Sequence, residues 1–210
     1  MATDSDNQPL TPLEEVRPAS HAASMSDERA SRATYEDLEA VPDNCVGELV
    51  DGVLYVSPRP ASPHARAATR LAAALDGPFD LGQGGPGGWL ILIEPELHLG
   101  GDALVPDLAG WRRERMPQMP HVAAFTLAPD WVGEVLSPST EVLDREKKMR
   151  AYAREGVSHL WLVDPLRQTL EAYRLEAQRW SRQGLWSGQV TVQAEPFEAL
   201  ALKLGLLWAL

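Results

Sequence analysis

From residue 34 onward the chain is built of short apolar runs separated by Gly, Pro, Asp and Asn, and most runs have the length of strands. Val46-Gly47-Glu48-Leu49-Val50 and Val53-Leu54-Tyr55-Val56 flank Asp51-Gly52, the pair that a two-residue type I′ turn prefers, so an N-terminal hairpin is expected. Trp89-Leu90-Ile91-Leu92-Ile93 predicts a buried strand and Glu96-Leu97-His98-Leu99 a shorter one, with a break at Pro95. Residues 105–111 predict another. Residues 130–140 read as a buried strand that carries one acid, Glu134, and ends in a turn. His159-Leu160-Trp161-Leu162-Val163 and the run from Thr169 predict two more, and residues 180–192 one or two. The apolar residues 200–210 are expected to pack on the core.

Helical spacing is confined to three places. Thr34 caps a short helix, with Asp37 three residues on. Ala65, Ala68, Thr69, Ala72 and Leu75 mark a second helix, with Ser62 as its cap and Pro63 at its first position. Residues 144–155 predict a third, with Asp144 as N-cap. The order hairpin, helix, strands, helix, strands predicts an α/β or α+β domain on a mixed central sheet, spanning residues 31–210. Residues 1–30 are rich in Ser, Ala, Asp, Glu and Pro without an apolar period, and a disordered N-terminal tail is expected there.

Three acids break the apolar pattern. Side chains alternate across a strand, so Glu134 shares a face with Val132 and Leu136. Asp107 stands between Val105 and Ala109, and Glu48 between Val46 and Val50. A carboxylate is costly to bury unless it is paired or bound to metal. Taken singly, each has a plainer reading: a hairpin-surface acid, a strand-end acid, a salt-bridge partner. If they converge, they repel one another, and a divalent cation such as Mg²⁺ removes the repulsion. Lys148 follows on the next helix, with Asp144 and Tyr152 four residues to either side on the same face, and Lys147 turned away. His64 opens the second helix and is a candidate to face the same cleft.

Composition narrows the function. The chain has 210 residues and a net charge of −11, from 19 basic and 30 acidic side chains, which is not the footprint of a basic nucleic-acid binder. A local patch of Arg112, Arg113, Arg115, Arg145, Lys147, Lys148 and Arg150 is still available to phosphates. Cys45 is the lone cysteine, so a reducing cytoplasmic setting is expected, and no run approaches the ~20 apolar residues of a membrane span. The polar, acidic first residues argue against a secretory signal. Gly-rich residues 82–88 lack the Lys-Ser/Thr of a P-loop; His98, His121 and His159 lack zinc-site spacing; Ser137 and Ser139 lack the Gly-x-Ser-x-Gly elbow.

In combination these residues resemble a known family. Glu48-Leu49-Val50-Asp51-Gly52, Ser57-Pro58, His64, Val105-Pro106-Asp107, Glu134-Val135-Leu136-Ser137-Pro138-Ser139-Thr140, Asp144, Lys148, Tyr152-Ala153, Gly156-Val157 and Leu160-Trp161-Leu162-Val163-Asp164-Pro165 are similar, in this order, to the Uma-type restriction endonuclease family of the PD-(D/E)XK nuclease superfamily. The resemblance covers roughly residues 34–205. It implies a restriction-endonuclease-like core, a mixed sheet flanked by helices. It implies a Mg²⁺- or Mn²⁺-dependent endonuclease acting on DNA, with Asp107 and Glu134 as the two strand acids and Glu48 as an additional one, all three holding metal. The superfamily's usual lysine position is Leu136 here. The resemblance places the lysine on the following helix, at Lys148, with His64, Asp144 and Tyr152 as accessory residues. Two other readings fit the sequence: a non-catalytic binding or assembly module that forms a homodimer through apolar C-terminal strands, and a metal hydrolase of small phosphoesters.

Overall fold

The computed structural model describes residues 32–209, so the tail expected over residues 1–30 lies outside the described residues. Helix α1 (Tyr35–Glu39) is closed by a reciprocal cap, in which the Asp37 amide donates to the Thr34 hydroxyl and Asp37 accepts from the Thr34 amide. Strands β1 (Cys45–Val50) and β2 (Val53–Pro58) pair antiparallel around Asp51-Gly52. Both turn residues have positive φ, 53° and 77°, which a type I′ turn demands and glycine tolerates without strain.

Helix α2 (Ser62–Leu75) begins one residue off expectation. Ala61 is the N-cap, Ser62 is already helical, and no side chain caps this end. Its buried stripe is also rotated. His64, Ala67, Leu71 and Leu75 face inward, while Ala65 and Thr69 are exposed. The alanine spacing suggested the other phase, but burying Leu71 removes more apolar area from water than burying Ala72, so the leucines set the rotation. That rotation turns His64 inward. A single π-helical turn (Asp76–Asp80) leads to the glycine-rich loop.

The remaining elements are β3 (Trp89–Ile93), β4 (Glu96–Leu99), β5 (Asp102–Leu104), β6 (Leu108–Arg112), β7 (Ala124–Phe125) and β8 (Trp131–Val135). A π-helical segment (Leu143–Lys148) then runs into α3 (Met149–Arg154), followed by β9 (His159–Asp164), β10 (Thr169–Glu176), β11 (Arg179–Ser187), β12 (Thr191–Val192) and β13 (Leu202–Lys203). The fold is mixed α and β. Its strands form two main sheets rather than the single central one expected: β2-β1-β5-β4-β7 and β11-β10-β9-β8-β6-β3, with β12 and β13 as a separate ribbon. In the six-stranded sheet only β8 and β9 run parallel, and the intervening helix makes that crossover.

Two prolines explain the split. The run 105–111 is not one strand, because Pro106 cannot donate to a ladder. Residues 105–107 therefore cross from β5 in one sheet to β6 in the other. Glu94-Pro95 makes the same crossing between β3 and β4, with Glu94 at φ 46°. The two crossings touch, since the Glu94 amide donates to the Asp107 carbonyl at 3.0 Å.

Alternation along β8 and β9 divides the core in two. Trp131, Val135, Trp161 and Val163 face α2 and the C-terminal residues Phe197, Leu202, Leu204 and Leu207. Val132, Leu136, Leu160 and Leu162 face α3 and the second sheet, against Leu97, Leu104, Ala151 and Tyr152. Leu202, Leu204 and Leu207 of the C-terminal run are thus buried in the chain's own core, while Leu206 stays exposed.

Candidate active site

Glu134 points into the second of these cores, as the alternation of β8 requires, and is 2 % exposed. Its partners come from the following helix. The Lys148 ammonium lies 2.9 Å from Glu134 Oε1, and the Tyr152 hydroxyl donates to the same oxygen at 2.6 Å. Lys148 Nζ also lies 2.8 Å from Glu48 Oε1 on β1 and 3.5 Å from Asp144 Oδ1, and donates to the Val105 carbonyl at 3.3 Å. Leu136 packs in the core beside Glu134, and Lys148 enters from α3's leading turn.

Asp107 sits at the crossing between the sheets. Its Oδ2 accepts from the Val135 amide at 2.7 Å, and its Oδ1 lies 3.2 Å from His64 Nε2. Its own amide makes a longer 3.4 Å contact with Glu134 Oε2. Glu48 Oε1 accepts from the Val105 amide at 2.8 Å, so this acid secures the same crossing. Four backbone sources thus converge: β1 from one sheet, β8 from the other, the crossing between them, and the helix that follows β8. The site forms where the two sheets part.

Glu48, His64, Asp107, Glu134, Asp144 and Lys148 line a cavity of about 750 Å³, with Tyr152 buried behind them. Its walls include Val41, Pro42, Val46, Pro58 and Pro138. One ammonium faces three carboxylates here, those of Glu48, Glu134 and Asp144, so negative charge is in excess. Burial, then the neighbouring acids, push the Glu134 carboxyl well above its ordinary range, although Lys148 pulls the other way. Burial raises Asp144 to about 6. Burial alone would lower Lys148, but Glu134 and Glu48 outweigh it and hold the ammonium charged well above its usual range. Burial also raises Tyr152, with Glu134 adding to it, so its hydroxyl stays a donor.

Comparison with known proteins follows this geometry. The family model Uma2, described as "Putative restriction endonuclease", matches residues 32–205. The chain belongs to the Uma2 family. The crystal structure of "a putative nuclease belonging to DUF820" from Anabaena variabilis is similar in fold, with a TM-score of 0.67 and 22 % identity. The match covers 83 % of this chain and 97 % of that one. No curated protein matches. The two-sheet architecture is therefore a nuclease-like fold.

The Uma2 chain brings together Glu48, Glu134, Lys148, Asp144 and Tyr152, with Asp107 and His64 alongside. Asp144 is not the helix N-cap. Its amide bonds the Thr140 carbonyl, so the helical turn starts earlier, and its side chain is buried against Lys148. The arginine patch is dispersed: Arg113 pairs with Asp80, Arg115 with Asp130, Arg145 with Glu171, and Arg112 lies over the Trp89 ring. None of these lines the cavity. Polar lining residues not expected as site residues include Asp43, Arg59, Glu94, Glu96 and Thr140. Arg59 sits among prolines with no periodic pattern, whereas Thr140, four residues before Asp144, was legible in principle.

The oxygen-only donor set suits a hard cation such as Mg²⁺. Among the described residues, no three acid, His or Cys groups already stand as a ligand cluster. Lys148 takes the central position between the acids. Among the described residues, Glu48 Oε2 makes no hydrogen bond or ion pair, and Glu134 Oε2 makes only the 3.4 Å contact. These two and Asp107 Oδ1, which only His64 engages, are the oxygens free to turn to a cation.

The raised acids set a pH dependence. Asp144 keeps its proton in the folded chain to about pH 6, against an ordinary 3.8. The folded state then binds more protons between those values, so stability falls as pH rises from about 4 to 6. His64, held above its usual 6.5 by Asp107 against the effect of burial, has the same sign: its contribution is present below 6.5 and lost through its folded value. In metal-free buffer, the melting temperature of wild type is expected to decline from pH 4 to 6 more steeply than that of Asp144→Asn. Parallel curves would remove Asp144 from the account.

Proposed function

We propose that this Uma2 protein is a metal-dependent endonuclease that hydrolyses DNA phosphodiester bonds. The observation that carries this reading is the excess of buried carboxylate around one ammonium, on the floor of an open cavity. Such a cluster is costly to keep without a ligand that brings positive charge. Asp107 and Glu134, with Glu48, would hold the cation. When bound, Mg²⁺ or Mn²⁺ would polarise the scissile phosphate and lower the pKa of a coordinated water.

The chain's own residues do the rest. Tyr152 and Lys148 both bind Oε1 of Glu134 and so fix the direction of Oε2. The Val135 amide fixes Asp107 in the same way. Lys148 reaches the site from the helix, and its ammonium would orient water or stabilise the negative charge that develops on the phosphoryl oxygens. Arg59, exposed at the cavity wall, meets a flanking phosphate.

Purified protein with Mg²⁺ or Mn²⁺ is expected to cut DNA, and Asp107→Ala to lose roughly 10²-fold or more of that rate, the scale of losing one source of charge stabilisation in the transition state, here that of the cation it would hold. Equal cutting by wild type and Asp107→Ala would identify a contaminant and remove the proposal. Cleavage of a small phosphodiester but not of polynucleotide would move the chain to the small-substrate class.

A further inference from the structure

We infer that the DNA this site takes is single-stranded, with one unstacked nucleotide seated in the cavity, its base against the proline wall and its flanking phosphate on Arg59. The inference rests on the endonuclease reading and narrows it to one form of substrate.

Three observations point the same way. The first is depth. The cavity of about 750 Å³ has the size of pockets that enclose one drug-sized ligand, room for a nucleotide or two and not for a duplex segment. Glu134 and Glu48 on its floor are 2 % and 6 % exposed. A phosphate must leave the envelope of a stacked helix to reach them. Enzymes with buried chemistry meet this by taking single strands or by extruding a nucleotide at the cost of unstacking.

The second is charge. Duplex binding relies on many Lys and Arg contacts to phosphates. Among the described residues, the only cationic side chains lining the cavity are Arg59, Lys148 and, when protonated, His64, and Lys148 is committed to the buried acids. Arg59 is exposed, and among the described residues its guanidinium donates only to the Asp43 carbonyl at 3.0 Å. Asp43, Glu94 and Glu96 line the same cavity and are negative toward any longer polyanion. Arg113, Arg115 and Arg145, outside the cavity, are already paired with acids. A rim with one free cation and several acids fits one or two phosphates of a flexible strand.

The third is the wall. Val41, Pro42, Val46, Pro58, Pro60 and Pro138 give the cavity an apolar lining beside its acids. Among the described residues, no Phe, Tyr or Trp lines it. A base can lie flat on proline rings and valine methyls without a hydrogen-bond code, which suits sequence-tolerant recognition. A base inside a duplex presents no free face to such a wall.

The test uses the full chain and one labelled oligodeoxynucleotide, offered as a single strand and as a blunt duplex. Binding is read by fluorescence anisotropy in EDTA, and cleavage is read with Mn²⁺. The single strand is expected to bind at least roughly tenfold more tightly and to be cut correspondingly faster, because a duplex must first be unstacked to expose a nucleotide. Because about one phosphate is neutralised, the slope of log affinity against log salt should be shallow, near −0.7. Arg59→Ala should weaken single-strand binding and flatten that slope toward zero. Duplex binding as tight as single-strand binding, or a steep slope of several units, would overturn the inference and leave the endonuclease reading standing. A single-strand preference without any cleavage would sustain the strand recognition and sink the hydrolase.

Discussion

Lys148→Met is expected to lower stability by about 3–5 kcal/mol at neutral pH, the usual cost of removing one partner from a buried ion pair. The substitution preserves length and leaves Glu48, Glu134 and Asp144 without their shared ammonium, at 2.8, 2.9 and 3.5 Å. The stranded acids can lower their cost by taking up protons, so the loss should shrink in acid. A denaturant titration at pH 5 and pH 8 separates this from simple loss of packing: an electrostatic origin requires a larger deficit at pH 8. Divalent cation offers a second readout. Where the acids hold metal, Mg²⁺ or Mn²⁺ should raise the melting temperature of Lys148→Met more than that of wild type, because it supplies the charge the methionine lacks. Equal stability of wild type and variant at both pH values would show that the acids do not depend on Lys148. DNA cleavage by the variant is expected to fall by roughly 10²-fold or more, the scale of removing a positive group aimed at developing negative charge.

Phe197→Ala is expected to cost about 3–5 kcal/mol, the range for truncating a buried aromatic ring. Phe197 is 1 % exposed and is the hub of the larger core. Its ring centroid lies 4.6 Å from that of Phe79, 4.9 Å from Trp89, 5.0 Å from Trp131 and 5.5 Å from Trp161. Those four side chains come from the π-helical turn and from β3, β8 and β9, and Phe197 plugs the space between them. Rigid strands cannot collapse far into the void, which puts the cost at the upper end of the range. In a domain of this size the melting temperature should drop by roughly 10 °C. The denaturant midpoint should fall with little change in slope, marking lost stability and not a changed folding unit. A loss below about 1 kcal/mol would mean that the strands repack around the gap.

The two experiments probe opposite faces of one sheet. Trp131 and Val135 belong to the Phe197 core, while Val132, Glu134 and Leu136 face Lys148 and Tyr152. β8 therefore carries the stability of one layer and the chemistry of the other on alternate residues.

That alternation was legible in the sequence, because a strand's period of two is local. So were the Asp51-Gly52 turn, the Thr34 cap and the set Asp144, Lys148 and Tyr152, which follow from backbone dihedrals and the helical repeat. The family order of the acids named Glu48, Asp107 and Glu134 together, and the structure sets them at one cavity floor. Three features lay beyond local pattern. The phase of α2, and with it His64, depended on which side chains buried more area against β8. The division into two sheets depended on where Pro95 and Pro106 force the chain across, a choice between competing partners far apart in sequence. The central place of Lys148 depended on a buried charge balance among four elements: desolvation penalises each acid separately, and only their convergence makes the ammonium worth burying. The sequence by itself determined which residues carry charge into apolar strands. The tertiary structure decided which of them share a cation, because that energy exists only once distant strands have closed around it.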